Sequence, residues 1–223
     1  MILSRARLVG VFTLLLTLGV SSGCNVVGFF GALEAERRRT GTITVEAEYD
    51  GLEGQSVAVV IDASREIYMT SPEVVDAILV EIIARLDANA EIERIVQPAE
   101  VQRVLYDEPD LLGRTYDEIA ARFNVTRLII IQLDEFRLAE MGNQYVWNGQ
   151  AAGNLLLIEA DSFIEDDVRL ERYVSVTYPD RSTTTVDEIP AQEVALELLR
   201  RFANRTSWFF YDHKERYPEY QTY

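Results

Sequence analysis

The sequence predicts an α/β fold: a mixed β-sheet with helices packed on it, an α/β sandwich, preceded by a signal peptide and a linker. Three observations predict it. Two unbroken apolar runs, Val57-Ala58-Val59-Val60-Ile61 and Leu128-Ile129-Ile130-Ile131, have the character of central strands covered on both faces. Between Val74 and Leu86 apolar residues recur at three- and four-residue intervals, the signature of an amphipathic helix. Two long, partly alternating stretches, Tyr145 to Ala160 and Val168 to Tyr178, flank the short polar segment Asp161 to Asp167, which joins them as an antiparallel hairpin.

The 223 residues are 48% hydrophobic and 26% charged, enough apolar material for one medium-sized domain with a real core. A single cysteine excludes a disulfide-stapled scaffold. The 37 acidic residues against 21 basic ones give a net charge of -16, which excludes a general nucleic-acid binder, because that function needs a basic surface to displace counterions from phosphates.

The elements follow in order from the N-terminus. Met1 to Arg7 carries Arg5 and Arg7, and Leu8 to Val20 is an uncharged apolar run. As a helix such a run rises only ~20 Å, short of a ~30 Å hydrocarbon core, so residues 1–23 read as a signal peptide. The run ends in Ser21-Ser22-Gly23-Cys24, which resembles a bacterial lipobox, although Ser21 stands where that pattern usually has leucine. The resemblance implies cleavage before Cys24 and acyl chains, palmitate among them, attached through its thiol, which would hold the protein on a membrane. Ordinary secretion, with cleavage at the same small residues and a free Cys24, is the alternative. Without Arg5 and Arg7 the chain keeps 19 basic residues against 37 acidic ones, a net charge of -18, so an anionic bilayer repels the body. Residues 24–41 then serve as a lipidated linker. Their one basic cluster, Arg37-Arg38-Arg39, either touches headgroups or is simply solvated.

The folded domain is expected over residues 42–205. Ile43, Val45 and Ala47 alternate with polar residues as a strand with one wet face, and Asp50-Gly51 and Glu53-Gly54 supply turns. After the Val57 to Ile61 strand, Thr70-Ser71-Pro72-Glu73 offers a hydroxyl cap and a first-turn proline to the helix ending near Leu86. Ile92 to Val96 is a short strand. Pro98-Ala99-Glu100 opens a helix with Val101, Val104 and Leu105 on one side, and Asp107 to Gly113 is a polar loop. Thr115-x-x-Glu118 is a capping box that starts a helix through Phe123. The strand from Val125 to Leu133 and the hairpin follow. Pro190 opens the last helix, with Val194, Leu196, Leu198, Leu199 and Phe202 as its apolar positions.

Val57 to Ile61 feeding a long helix, Arg94-Ile95-Val96 before another, and Ala120 to Ile131 (AARFNVTRLIII) together resemble a domain of bacterial envelope lipoproteins. That domain occurs in the curli-secretion lipoprotein CsgG, the penicillin-binding-protein activator LpoB and, as its N-terminal domain, the translocation protein TolB. The resemblance covers about residues 56–178 and lies in hydrophobic pattern and element order. It implies a protein without catalytic residues that binds other envelope proteins or assembles into rings. Two departures stand out: no long extra hairpins of the pore-forming kind, and an acidic tail after Phe202 without a counterpart.

A search for chemistry finds no GxSxG, Walker-type loop, GxGxxG or HExxH. His213 is the only histidine, and the adjacent Asp212 points elsewhere on any regular element, so no triad forms around it. Glu159, Asp161, Glu165, Asp166 and Asp167 crowd one hairpin end; oxygen ligands at this density either hold a cation such as Ca²⁺ or, since the spacing of a calcium loop is absent, are simply solvated. No catalytic residue, metal or cofactor is therefore assigned. The aromatic tail, residues 206–223, holds Trp208, Phe209, Phe210, Tyr211, Tyr217, Tyr220 and Tyr223. Trp208 to Phe210 either close the core beneath the last helix or join an interface; Tyr217, Tyr220 and Tyr223, on a polar, proline-broken stretch, are the candidates for partner contact. Tyr145, Trp147, Gly149 and Gly153 mark a closely approached strand that suits an interaction edge.

Two functions follow. The first is a lipid-anchored envelope protein, facing the periplasm or the cell surface, that acts as a non-catalytic protein-binding or assembly module, with homo-oligomerisation as one form of assembly. The second is a lipid-anchored hydrolase using carboxylates, with or without a metal.

Overall fold

The computed structural model describes residues 41–140, 142–143, 145–180 and 184–216. The signal peptide, Cys24, Arg37 to Arg39, Tyr217, Tyr220 and Tyr223 lie outside the described residues. These residues fall into two units. The smaller, 41–44 with 214–216, is built on a two-stranded sheet of β1 (Thr42–Val45) and β7 (His213–Arg216). The second of these strands has no counterpart in the sequence-based expectation.

The larger unit, 45–213, is a mixed five-stranded sheet with helices packed on it, the α/β fold expected. Its strands are β2 (Ser56–Ala63), β3 (Arg94–Ile95), β4 (Arg127–Ala139), β5 (Trp147–Glu159) and β6 (Val168–Tyr178), in the order β3-β2-β4-β5-β6. β2 pairs parallel with β3 and β4, with Val59 opposite Ile129, and both apolar runs are buried on the two sheet faces, as central parallel strands require. β4, β5 and β6 form the expected antiparallel meander, with Ile131 opposite Leu155 and Leu155 opposite Arg172.

The helices are α1 (Arg65–Thr70), α2 (Pro72–Asn89), α3 (Pro98–Asp107), α4 (Tyr116–Phe123) and α5 (Ala191–Ser207). Val74, Val75, Ile78, Leu79, Ile82, Ile83 and Leu86 all face the core from α2. The strand order β3-β2-β4 reverses direction after β3, so the right-handed rule for parallel crossovers places α2 on one face and α3 with α4 on the other. The last helix, α5, packs on α2 and so shares its face. Arg201 of α5 lies 4.8 Å over the Tyr178 ring, and Leu198 presses against Gly149 of β5.

Three local expectations are corrected. Ser71 gives no side-chain cap to α2, because it also terminates the unexpected α1, bonding its own N–H to the Ile67 carbonyl; its carbonyl receives the Val74 N–H. Leu196 is 65% exposed, since the buried stripe of α5 runs through Val194, Leu198, Leu199, Phe202 and Ala203. The loop after α3 contains a 3-10 turn, Leu111–Gly113, that buries Leu111. The Thr115–Glu118 capping box forms as expected, with both reciprocal bonds in place. A second 3-10 turn, Trp208–Phe210, follows α5, buries Phe210 and so closes the core beneath that helix. Trp208 instead stacks on His213, 4.5 Å between ring centroids.

Candidate functional site

The two faces of the sheet are unequally covered. On β5 and β6, side chains paired across the strands alternate between the α5 side, such as Gly153 with Val174 and Ala151 with Val176, and the opposite side, such as Asn154 with Tyr173 and Ala152 with Ser175. The α5 side is buried. On the other side α3 lies against β2 and α4 against β4, and exposure there is concentrated on β6, while Ala152 and Leu156 of β5 remain buried. That side carries half-buried Gln132, Glu135, Arg137, Gln150 and Asn154 and, along β6, exposed Glu171, Ser175 and Tyr173, the last 63% exposed.

Two local features shape this side of the sheet. Any side chain at Gly153 would run into the Gln132 carbonyl, so glycine alone allows β4 and β5 to approach there. One residue later β4 bulges between Leu133 and Glu135, turning Asp134 outward. Arg137 is held across the surface by Glu135, by Gln150 at 2.8 Å and by the Asn148 carbonyl at 2.9 Å.

Asp62, at the end of β2, and Asp134 adjoin this surface from one end. Burial raises the Asp62 carboxyl above the usual aspartate range, and the negative charge of Asp134 adds to the effect. Asn154 donates to Asp134 at 3.3 Å. Burial likewise raises the Tyr68 phenol, with Asp62 and Asp76 contributing, while its hydroxyl donates to the Ile61 carbonyl.

The opposite end of the meander is organised by a buried charge. Arg127, the first residue of β4, donates to the Tyr49 hydroxyl at 2.9 Å, to the Thr126 carbonyl at 2.9 Å and to Asp161. Tyr49 in turn donates to Glu159 at 2.7 Å, and Glu159 meets Arg169. Burial first, then the hydrogen bond to Glu159, push the Tyr49 phenol up to about 12. Burial alone would lower the Arg127 guanidinium, but Tyr49 and Asp161 outweigh it and raise it.

From this base the β5–β6 connection is built as a hydrogen-bonded loop. Ser162 Oγ donates to Asp167 at 2.8 Å and accepts from the Ile164 N–H, while Asp166 and Asp117 cap each other's backbone N–H at 3.0 and 3.1 Å. The loop therefore holds Phe163, fully exposed, and Ile164 out in solvent. Of the acids crowded there, Glu159, Asp161, Asp166 and Asp167 are engaged in internal bonds, and Glu165 is exposed. Among the described residues no group of three or more His, Cys, Asp or Glu side chains is arranged to hold a metal ion.

Of the residues singled out from sequence, Cys24, Tyr217, Tyr220 and Tyr223 are outside the described region. Asp212 accepts from the Ala47 N–H, and the His213 Nδ1 lies 3.3 Å from the Tyr211 carbonyl. Trp147 is a structural anchor, its indole N–H bonded to the Ile189 carbonyl, whereas Tyr145 is exposed. Sequence reasoning did not single out Tyr173, Phe163 or the Asp62–Asp134 pair. Phe163 and Ile164 were detectable, being the only apolar residues in an otherwise polar turn.

No protein-family model matches the sequence, and no curated protein matches it. Solved structures similar to it include lipoprotein GNA1162 from Neisseria meningitidis, 10% identical, covering 64% of this chain and 92% of that one with a TM-score of 0.44. A PelC dodecamer from Paraburkholderia phytofirmans is 14% identical, covering 77% and 98% with a TM-score of 0.42. The LpoB C-terminal domain from Salmonella enterica is 12% identical, covering 58% and 87% with a TM-score of 0.31. Likeness of this degree carries no function across.

Proposed function

We propose that this chain is a lipid-anchored bacterial cell-envelope protein, held on the membrane by acyl chains on Cys24, that works as a non-catalytic protein-binding or assembly module. The observation that carries the binding role is the set of exposed apolar side chains at the outer strand: Tyr173 on β6, with Phe163 and Ile164 projecting from a hydrogen-bonded loop. A monomer gains nothing in stability by exposing Phe163 on a hydrogen-bonded support, and pre-ordered aromatic side chains are what an interface uses as anchors. The anchor is supported by Arg5, Arg7, the Leu8 to Val20 run and the placement of the only cysteine. The tail residues Tyr217, Tyr220 and Tyr223 extend the contact surface in this reading, and the body faces the periplasm or the cell surface.

The test is site-specific photocrosslinking in intact cells from positions 163 and 173. Adducts with one envelope protein, lost when Tyr217, Tyr220 and Tyr223 are changed to alanine, are expected; absence of any adduct overturns the reading. Incorporation of a labelled fatty acid that persists in Cys24→Ala overturns the anchor. One observation favours the hydrolase reading instead, the raised Asp62 carboxyl beside Asp134. Turnover of a chromogenic ester or glycoside, abolished in Asp62→Asn, would establish it.

A further inference from the structure

The loop between β5 and β6 combines an apolar tip with an excess of negative charge. Phe163 is fully exposed, Ile164 is 66% exposed, and Val168 at the start of β6 is 38% exposed. Ser162 Oγ accepts from the Ile164 N–H at 3.2 Å, a local turn that puts Phe163 at its apex. Asp166 follows at φ 53°, in the left-handed region that aspartate tolerates, and its reciprocal bonds with Asp117 fasten the loop to the start of α4. The backbone is thus held beneath two apolar side chains that stand in water, and such pre-ordering lowers the cost of binding. Residues 161–167 contain Asp161, Glu165, Asp166 and Asp167 and no lysine or arginine. The cations bonded at this end of the meander are engaged, Arg127 with Asp161 and Arg169 with Glu159. Asp166 and Asp167 accept instead from neutral donors, the Asp117 N–H and the Ser162 hydroxyl, and Asp117 adds a carboxylate of its own. Glu165, next to Ile164, is exposed.

We infer that Phe163 and Ile164 insert into an apolar pocket of another envelope protein, and that the rim of this pocket carries lysine or arginine. The inference rests on the binding role proposed above and names the chemistry of the partner. Charge complementarity selects this occupant. A bilayer could take up the apolar pair, but insertion brings Asp161 and Glu165 to the headgroups, where interfacial segments carry lysine and arginine. The net charge of -16 adds to repulsion from an anionic surface. A second copy of the chain would set the same carboxylates against each other, and like charges across an interface cost affinity. A neutral pocket would strip water from Glu165 without pairing it. A cationic rim pairs it at the edge of the contact, where it steers encounter and rejects acidic partners, while Phe163 acts as the aromatic anchor at the centre.

The experiment uses the full chain in intact cells, with benzoylphenylalanine at position 163 and, in a parallel chain, at position 173. Each is combined with Glu165→Lys and with Glu165→Gln. A protein adduct from position 163 is expected, at least tenfold weaker with Glu165→Lys and about two- to threefold weaker with Glu165→Gln. It should also weaken when isolated membranes are irradiated in about 0.5 M rather than about 0.05 M NaCl. Mass spectrometry of the adduct should place the crosslink within a few residues of a lysine or arginine of the partner. Glu165 is exposed, so both variants should melt at the wild-type temperature. If Glu165→Lys melts lower, Glu165→Gln and the salt dependence carry the test. A lipid adduct from position 163 overturns the inference, as does an adduct of two copies of this chain or a protein adduct indifferent to Glu165 and to salt. No adduct from 163 beside one from 173 overturns this inference and leaves the binding role standing, whereas no adduct from either position overturns both.

Discussion

Replacing Tyr49 by phenylalanine removes one oxygen and keeps the ring, which packs edge-on against Phe210 at 6.3 Å between centroids. That oxygen accepts from the Arg127 guanidinium at 2.9 Å and donates to the Glu159 carboxylate at 2.7 Å. Arg127 is only 10% exposed at its side chain, so water replaces the lost acceptor poorly. Hydrogen bonds to charged groups contribute about 1.5–3 kcal/mol each, and two bonds that share an atom do not add fully, so a loss of about 2–4 kcal/mol at neutral pH is expected. The sign of the pH dependence is fixed by the raised phenol. The folded chain holds Tyr49 in its neutral form with a pKa of about 12, above the ordinary 10.0, so its contribution is complete below pH 10 and is lost as pH rises toward 12. Two pKa units set an upper bound of ~2.7 kcal/mol on that loss, reduced by screening because the residue is only part-buried. Urea denaturation of both proteins at pH 7, 9 and 11.5 reads the effect. The wild-type advantage should be large at pH 7 and 9 and shrink at pH 11.5. A Tyr49→Phe chain within about 0.5 kcal/mol of wild type at pH 7, or a difference that stays constant up to pH 11.5, refutes the network as a source of stability.

Leu198→Ala should cost about 2–5 kcal/mol by thermal or urea unfolding, because Leu198 is fully buried against the sheet, whereas the exposed Leu196→Ala should stay within about 0.5 kcal/mol. Thr115→Ala removes the side chain that caps α4 and should lower stability by about 0.5–2 kcal/mol in the same assay. The folded state raises the Asp62 carboxyl, so it disfavours the charged form, and stability falls as pH rises from the unfolded pKa through the folded one. Asp62→Asn should therefore raise the melting temperature at pH 7 and leave it unchanged at pH 3, as scanning calorimetry at the two values would show.

The parts of the fold legible in the sequence are those whose signal is local. The apolar runs at Val57 to Ile61 and Leu128 to Ile131, the three-and-four spacing of α2 and the Thr115 box each specify their own conformation within a few residues. Helix α1 was missed because Arg65-Glu66-Ile67-Tyr68-Met69-Thr70 is a single short turn with one buried residue, Ile67, and its end is shared with the start of α2 at Ser71. Leu196 was misplaced because a leucine in an amphipathic run looks the same on either side of the stripe. The candidate surface was hidden for a different reason. Tyr49 meets Arg127 and Glu159 across 78 and 110 residues of chain, and the exposure of Tyr173 depends on which face the helices leave bare, neither of which any local pattern encodes.

The unequal cover of the sheet follows from lengths. Helices α3 and α4, which return the chain from β3 to β4, have 10 and 8 residues and so span only ~15 and ~12 Å. The strands they would have to cover, β4 and β5 with 13 residues each, reach ~44 Å if fully extended. On the other face α2 and α5, with 18 and 17 residues, span ~25 Å or more and can shield the meander over most of its breadth. A sheet so mismatched must either fill its uncovered side with polar residues or offer it to another protein. This chain takes the first course on β4 and β5, where half-buried Gln132, Gln150 and Asn154 line the uncovered side, two of them bonded to Arg137 and Asp134, and it leaves Tyr173 exposed at the margin on β6.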